Sequence, residues 1–143
     1  MGELGDKLRA LLEPSLGSGE ILRGACVATQ QGLFKGRMVA IGVTDSRLII
    51  QGATRKWQPD REPTSLPPER IVSADAEGAG GGWAELGSAI MDKAAVTVKL
   101  RTTEGEKLKL MMMRGSGPLG GLGGGDDQRT GVEALGAWCG EHT

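Results

Sequence analysis

The sequence predicts a mainly β fold with flanking helices, built as a small antiparallel sandwich or barrel that a final helix closes. Three observations predict it. Gly36-Arg-Met-Val-Ala-Ile-Gly-Val-Thr-Asp-Ser-Arg-Leu-Ile-Ile50 reads as a β-hairpin, an extended apolar run turning at Asp45-Ser46 into a second strand that starts on Arg47. Residues 95–102 and 106–113 alternate apolar and polar side chains in the manner of a second hairpin. One amphipathic helix over 127–141 follows the strands and is placed to cap them.

The elements follow in order. Leu4, Leu8, Leu11 and Leu12 recur at helical spacing, so 3–13 is a helix that Pro14 ends. Gly17-Ser-Gly19 makes a turn, and residues 20–30 suit a strand of imperfect alternation. Gly32 to Gly36 closes a loop tipped by Leu33, Phe34 and Lys35. The opening hairpin occupies about 37–44 and 47–52. Residues 53–68, with Pro59, Pro63, Pro67 and Pro68, hold no clear element. A short strand covers about 70–77.

Glycine dominates 78–82 and marks a joint. Trp83, Leu86, Ile90 and Met91 then recur at helical spacing, which predicts a short amphipathic helix over 83–92 inserted between strands. Parity ties the two following strands together. Opposed residues of an antiparallel pair share a face, so matching Val96, Val98 and Leu100 with Leu108, Leu110 and Met112 needs a loop of odd length. Thr103-Glu104-Gly105 supplies it, with Gly105 where a left-handed conformation is required. Residues 115–125 are low in complexity and read as a linker. The last helix begins near Asp127 or Thr130, where Thr130 and Glu133 have capping-box spacing, and carries Val132, Leu135 and Cys139 as its stripe with Trp138 beside it.

At 143 residues the chain forms one domain, 1–143, with enough core to need no staples. A net charge of −1 excludes the broad basic field of non-specific nucleic-acid binding, and three Trp, one Phe and no Tyr exclude a stacking platform. Cys26 lies in a strand and Cys139 on a helix face, so both are expected as buried thiols, without metal-ligand spacing. Glu3, Asp6, Lys7 and Arg9 interrupt any signal-peptide core, and no apolar run approaches the ~20 residues of a membrane span. A soluble, cytoplasmic protein is expected.

No catalytic, cofactor or metal site emerges, and an enzyme is not expected. The single histidine, His142, is next to the C-terminus and reads as a solvated tail residue. Gly115-Ser-Gly-Pro-Leu-Gly120 matches G-x-G-x-x-G formally, yet Pro118 breaks the loop-to-helix step and no acidic residue follows at the required distance.

Taken together these residues resemble the bacterial pleckstrin-homology-like domains, especially the short YokE-like type, and beyond them the GRAM domains. The resemblance runs from Leu12 to about Trp138. It rests on Gly19-Glu20-Ile21-Leu22, Gly32-Leu-Phe-Lys-Gly36, Val43-Thr-Asp-Ser-Arg-Leu-Ile-Ile50 and the Leu66-Pro67 to Ile71 segment, with the alternating hairpin and terminal helix. Ser46 stands where those domains carry a second basic residue, and the glycine-rich stretches 78–82 and 115–125 depart from the pattern. The resemblance implies a seven-stranded, two-sheet, bent antiparallel barrel over 20–114, capped by the C-terminal helix. It also implies a non-catalytic module that binds lipid headgroups, peptides or other subunits, often as an oligomer.

Two surfaces are candidates for that work. Between Ile21 and Arg61 seven cations face only Asp45 and Asp60, a local excess of +5 that leaves −6 for the remainder. Within it, Phe34, Lys35, Arg37, Arg55 and Lys56 form a candidate anion- or lipid-binding edge. In eukaryotic pleckstrin relatives, basic residues near the first loop hold phosphorylated headgroups, and Lys35-Gly-Arg37 falls at the corresponding place. Such cations contribute about 1 kcal/mol each near an anionic leaflet. A solvated edge with Phe34 packed on its own barrel is the favoured alternative, because one lysine and one arginine make a thin site. The second candidate is a partner surface of Trp83, Leu86, Ile90 and Met91 with Met111 and Met113, serving a protein partner or a homo-oligomer. A helix lying on its own sheet is the alternative there, and it is favoured for an amphipathic segment.

Overall fold

The computed structural model describes residues 3–30, 37–54, 56–77, 83, 86, 95–113 and 124–142. Helix α1, Glu3–Leu12, runs into a 3-10 turn at Glu13–Ser15 that contains Pro14. Seven strands follow: β1 Gly24–Gln30, β2 Arg37–Val43, β3 Leu48–Ala53, β4 Pro59–Leu66, β5 Ile71–Glu77, β6 Ala95–Thr102 and β7 Lys107–Met113. Helix α2, Gly124–His142, comes last.

All the pairings are antiparallel, in the order β4-β3-β2-β1-β7-β6-β5. The two-sheet barrel is therefore corrected to one hydrogen-bonded sheet that does not close, since β4 and β5 remain its edges. Among the described residues the halves join through Thr29–Met111 and Gln30–Leu110. A joint this short lets the sheet fold over, so Ile41 and Leu48 from one half share a core with Val98 and Leu110 from the other. Val132, Leu135, Trp138 and Cys139 of α2 fill the space between. Four strands, three strands and a closing helix agree in outline with the pleckstrin-like order.

A second apolar layer lies outside the first half-sheet. Leu8, Leu11 and Leu12 of α1 pack against Val27, Ala40 and Ile49, the outward residues of β1, β2 and β3. With both faces covered, β3 is buried at all six positions, which explains its run of apolar side chains without alternation.

Strand β4 is the element that proline-rich 53–68 conceals. It is an edge strand, the place in a sheet where proline is tolerated: Pro59 opens it, and Pro63 falls in the irregular stretch between the Ile50–Thr64 and Gly52–Asp60 pairs. A register shift between Ile50 and Gly52 accompanies a left-handed Arg61, φ 70°. Gln51 fills the irregularity, its Nε2 donating to the Arg61 carbonyl at 2.9 Å. A Cβ on Gly52 would stand 2.3 Å from the Asp60 carbonyl oxygen, so the crossing needs glycine.

The hairpins match expectation closely. In β6–β7 Leu100 opposes Leu108, Val98 opposes Leu110, and Gly105 is left-handed at φ 88°. Helix α2 starts earlier than expected, so Thr130 and Glu133 lie inside it and Glu133 pairs with Arg129 at 3.0 Å instead of capping. Capping-box spacing and one helical turn are the same interval, so sequence alone does not separate them. Helix α2 also continues through Gly140. Both cysteines are buried thiols, and burial pushes them up to about 12. Among the described residues no helix is long and apolar enough to cross a membrane.

Candidate binding surface

The residues expected to bind are dispersed. Phe34, Lys35, Arg55, Ile90 and Met91, the loops at 32–36 and 78–82, most of 83–92 and of 115–125, and the side chain of Met113 lie outside the described residues. Arg37 opens β2 and is exposed; Lys56 is exposed in the turn after β3. Because Val39 opposes Gly52, the two lie at the same end of the β2–β3 pair. On the other candidate surface Leu86 is 0% exposed in the chain's own core, and Trp83 packs against that core. The Trp83 carbonyl would stand 2.5 Å from a Cβ on Gly136 of α2. The expected partner surface at 83–91 thus loses Leu86, since the cavity between the half-sheets takes it in. Met111 is half-buried, opposite Thr97 and Thr29. His142 is also half-buried rather than solvated, its ring 4.6 Å from that of Trp138.

Two of the seven cations of 21–61 are already committed. Arg47 donates to both Glu20 oxygens at 2.6 and 2.9 Å, to the Ser15 carbonyl at 2.7 Å and to the Ser65 hydroxyl at 3.0 Å. The Arg47 hydrogen bonds, followed by the Gly17 N–H, hold the Glu20 carboxyl down to about 2. Arg23 pairs with Asp45 at 2.9 Å. These groups fasten the β2–β3 turn to the segment after α1. The shallow depression of about 440 Å³ beside them, lined by Gly17, Ser18, Asp45 and Ser46, offers a ligand few groups that are not already engaged.

The unexpected surface is the outer face of β5–β7. Alternation that buries Val98, Leu100, Leu108 and Leu110 turns Lys99, Arg101, Lys107 and Lys109 outward, all exposed. The register sets Lys99 directly opposite Lys109 and Arg101 directly opposite Lys107. Side chains so opposed have Cβ atoms roughly 4.5–5.5 Å apart, and like charges there are destabilising. On the flanking strand Asp75 opposes Lys99 and Glu77 opposes Thr97. The Lys99 ammonium bonds Glu77; this hydrogen bond first, then the charges of Lys99 and Lys109, hold the Glu77 carboxyl low. Arg101 and Lys107 have no ion-pair partner among the described residues. A groove of about 420 Å³ runs between these side chains, with Ser73 and Asp75 on its β5 side. Helix α1 covers the other half-sheet, and no described residue is packed over this one.

Such an array holds negative charge. No cluster of three or more His, Cys, Asp or Glu side chains suited to a metal occurs among the described residues. The sequence carried the signal for the array. Parity that places Val96, Val98 and Leu100 inside places Lys99 and Arg101 outside, and the odd loop aligns them with Lys107 and Lys109.

No family model matches the chain, and no curated protein matches it. Its fold is similar to that of the C-terminal domain of an unknown protein from Leishmania infantum, with a TM-score of 0.50 and 11% identity over 77% of this chain and 84% of that one. The complex of PDZ-RhoGEF DH/PH domains with GTP-γ-S activated RhoA superposes at a TM-score of 0.49 and 11% identity, over 95% of this chain and 37% of that one.

Proposed function

We propose that the protein is a non-catalytic, pleckstrin-homology-like binding module that docks a protein partner on the outer face of β5–β7. The family part of this reading rests on the sequence resemblance. The observation that carries the surface is the pair of opposed like charges, Lys99–Lys109 and Arg101–Lys107, on a half-sheet that no described residue covers. Opposed cations cost the isolated sheet stability, and an anionic partner converts that cost into binding free energy. Two copies presenting the same cations repel, which favours a different protein over self-association through this face.

A second reading keeps the exposed Arg37 and Lys56, at one end of β2–β3, as a weak attachment to anionic lipid. One experiment addresses both. Amide shifts are followed in NMR spectra while poly-L-glutamate, and separately phosphatidylserine vesicles, are added at low salt. Shifts over 97–109 with poly-L-glutamate support the docking face. No shift there removes it, and shifts confined to 37–43 and 56–58 with vesicles replace it by the lipid reading.

A further inference from the structure

We infer that the partner segment is an extended acidic strand carrying carboxylates on alternate residues, followed on the same face by an apolar side chain. The inference rests on the docking face just described and specifies its occupant.

The geometry of three successive rows carries it. On the outer face of β6–β7 the rows are Arg101–Lys107, Lys99–Lys109 and Thr97–Met111. Two rows are doubly cationic, and the third is neutral with a half-buried methionine. Each step between rows is two residues, roughly 6.6 Å along a strand. Any extended chain repeats its same-face side chains at the same interval. A segment laid along the hairpin therefore presents residues i, i+2 and i+4 to the three rows in register. Carboxylates at i and i+2 each meet two cations, and Met111 offers an adaptable apolar contact to i+4.

Charge around the rows selects a narrow occupant. Asp75 and Glu77 line the β5 side, while Glu104 and Glu106 stand exposed at the hairpin loop. A broad anionic plane such as a bilayer would meet these acids as well as the cations. A single acidic strand fits between them. The Lys99–Glu77 ion pair acts as an internal competitor, since an arriving carboxylate must share or take Lys99 from Glu77.

The test uses two capped peptides of the same composition, Thr-Glu-Thr-Glu-Thr-Leu-Thr and Thr-Glu-Glu-Thr-Thr-Leu-Thr, titrated into the full chain by NMR at low salt. The alternating peptide is expected to bind roughly fivefold tighter, the effect of keeping one more exposed ion pair in place. Lys109→Gln, in the row that only the second carboxylate of the alternating peptide reaches, should shrink that preference, while Lys7→Glu on α1 should leave it unchanged. Equal affinities of the two peptides, with shifts over 97–111, overturn the alternating register and leave the docking face standing. Absence of shifts with either peptide overturns the docking face itself. Circular dichroism of each variant establishes that a lost preference does not reflect a lost fold; should Lys109→Gln not fold, Lys99→Gln in the same row serves instead.

Discussion

The side-chain amide of Gln128 hydrogen-bonds both backbone groups of Val27. Its Oε1 accepts the Val27 N–H at 2.8 Å and its Nε2 donates to the Val27 carbonyl at 2.6 Å, with Gln128 0% exposed. Among the described residues β1 pairs with β7 at 29 and 30 and not at 27, so the Val27 groups facing away from β2 have no strand neighbour there. One amide on α2 replaces a peptide unit there. Truncation by Gln128→Ala leaves a buried donor and acceptor unmet and is expected to cost about 2–4 kcal/mol in urea unfolding. Gln128→Glu adds a sign. An ionised carboxylate accepts from the N–H but cannot donate to the carbonyl, whereas the protonated acid does both. The Glu variant should therefore gain stability relative to wild type as pH falls from 7 to 5; an unchanged difference would remove the paired-amide account.

Close approach of α2 to β1 is a separate matter of volume. A Cβ on Gly131 would stand 1.8 Å from the Ala25 carbonyl oxygen, and one on Gly24 would stand 2.5 Å from the Ala134 Cβ. Alanine in a helix interior ordinarily gains up to about 1 kcal/mol over glycine. Here the helix must move off the strand, and overpacking of this kind costs about 1–3 kcal/mol or more. Gly131→Ala should thus lower the melting temperature, while Gly17→Ala, where the nearest atom to a Cβ stands 3.7 Å away, should not. Equal effects at the two sites would mean that backbone entropy, not contact, sets the preference for glycine.

Acid stability should depend on Glu20. Its carboxyl is lowered from 4.5 to about 2 by the Arg47 hydrogen bonds and the Gly17 N–H. A group depressed in the folded state contributes its stability fully above the unfolded value, and loses it as pH falls through the folded one. The contribution is present above pH 4.5 and declines down to about pH 2. Screening at this near-surface pair holds it to about 1–2 kcal/mol. Glu20→Gln should flatten the fall in chemical-denaturation stability across that window. A variant with the wild-type slope would assign the acid transition to other carboxylates.

Legibility in the sequence followed how local each determinant is. The β2–β3 and β6–β7 hairpins are readable because alternation and a short turn fix which residues oppose, and Leu100 indeed opposes Leu108. The buried stripe of Val132, Leu135 and Cys139 is readable for the same reason at helical period. Strand β4 is not, because its prolines are tolerated only through its place at the sheet edge, a fact of topology. Gln128 is invisible for a related cause: its role depends on β1 and β7 diverging after two pairs. Leu86 reads as a spare apolar side chain until the open space between the half-sheets is known to take it in. The basic rows were present in the parity of the hairpin, whereas the charge count over 21–61 includes Arg23 and Arg47, whose acidic partners are distant in sequence.

Stability and binding should move in opposite directions at Lys107. It faces Arg101 across the β6–β7 ladder, with neither cation ion-paired among the described residues. Replacing a like-charge pair by an opposite one on a sheet face contributes about 0.2–1 kcal/mol. Lys107→Glu should raise the urea midpoint at constant m-value, because the new carboxylate satisfies Arg101 within the chain. That same carboxylate occupies the position proposed for the first acid of the partner strand, so affinity for the alternating peptide should fall at the same time. A purely structural role for the row predicts otherwise: a stabler protein would hold its surface at least as well, and peptide binding would persist. Paired measurement of urea midpoint and peptide affinity on one variant therefore separates a surface kept for an anionic partner from a face whose charges are incidental. A stabilised Lys107→Glu that binds the peptide as the parent does would end the docking proposal.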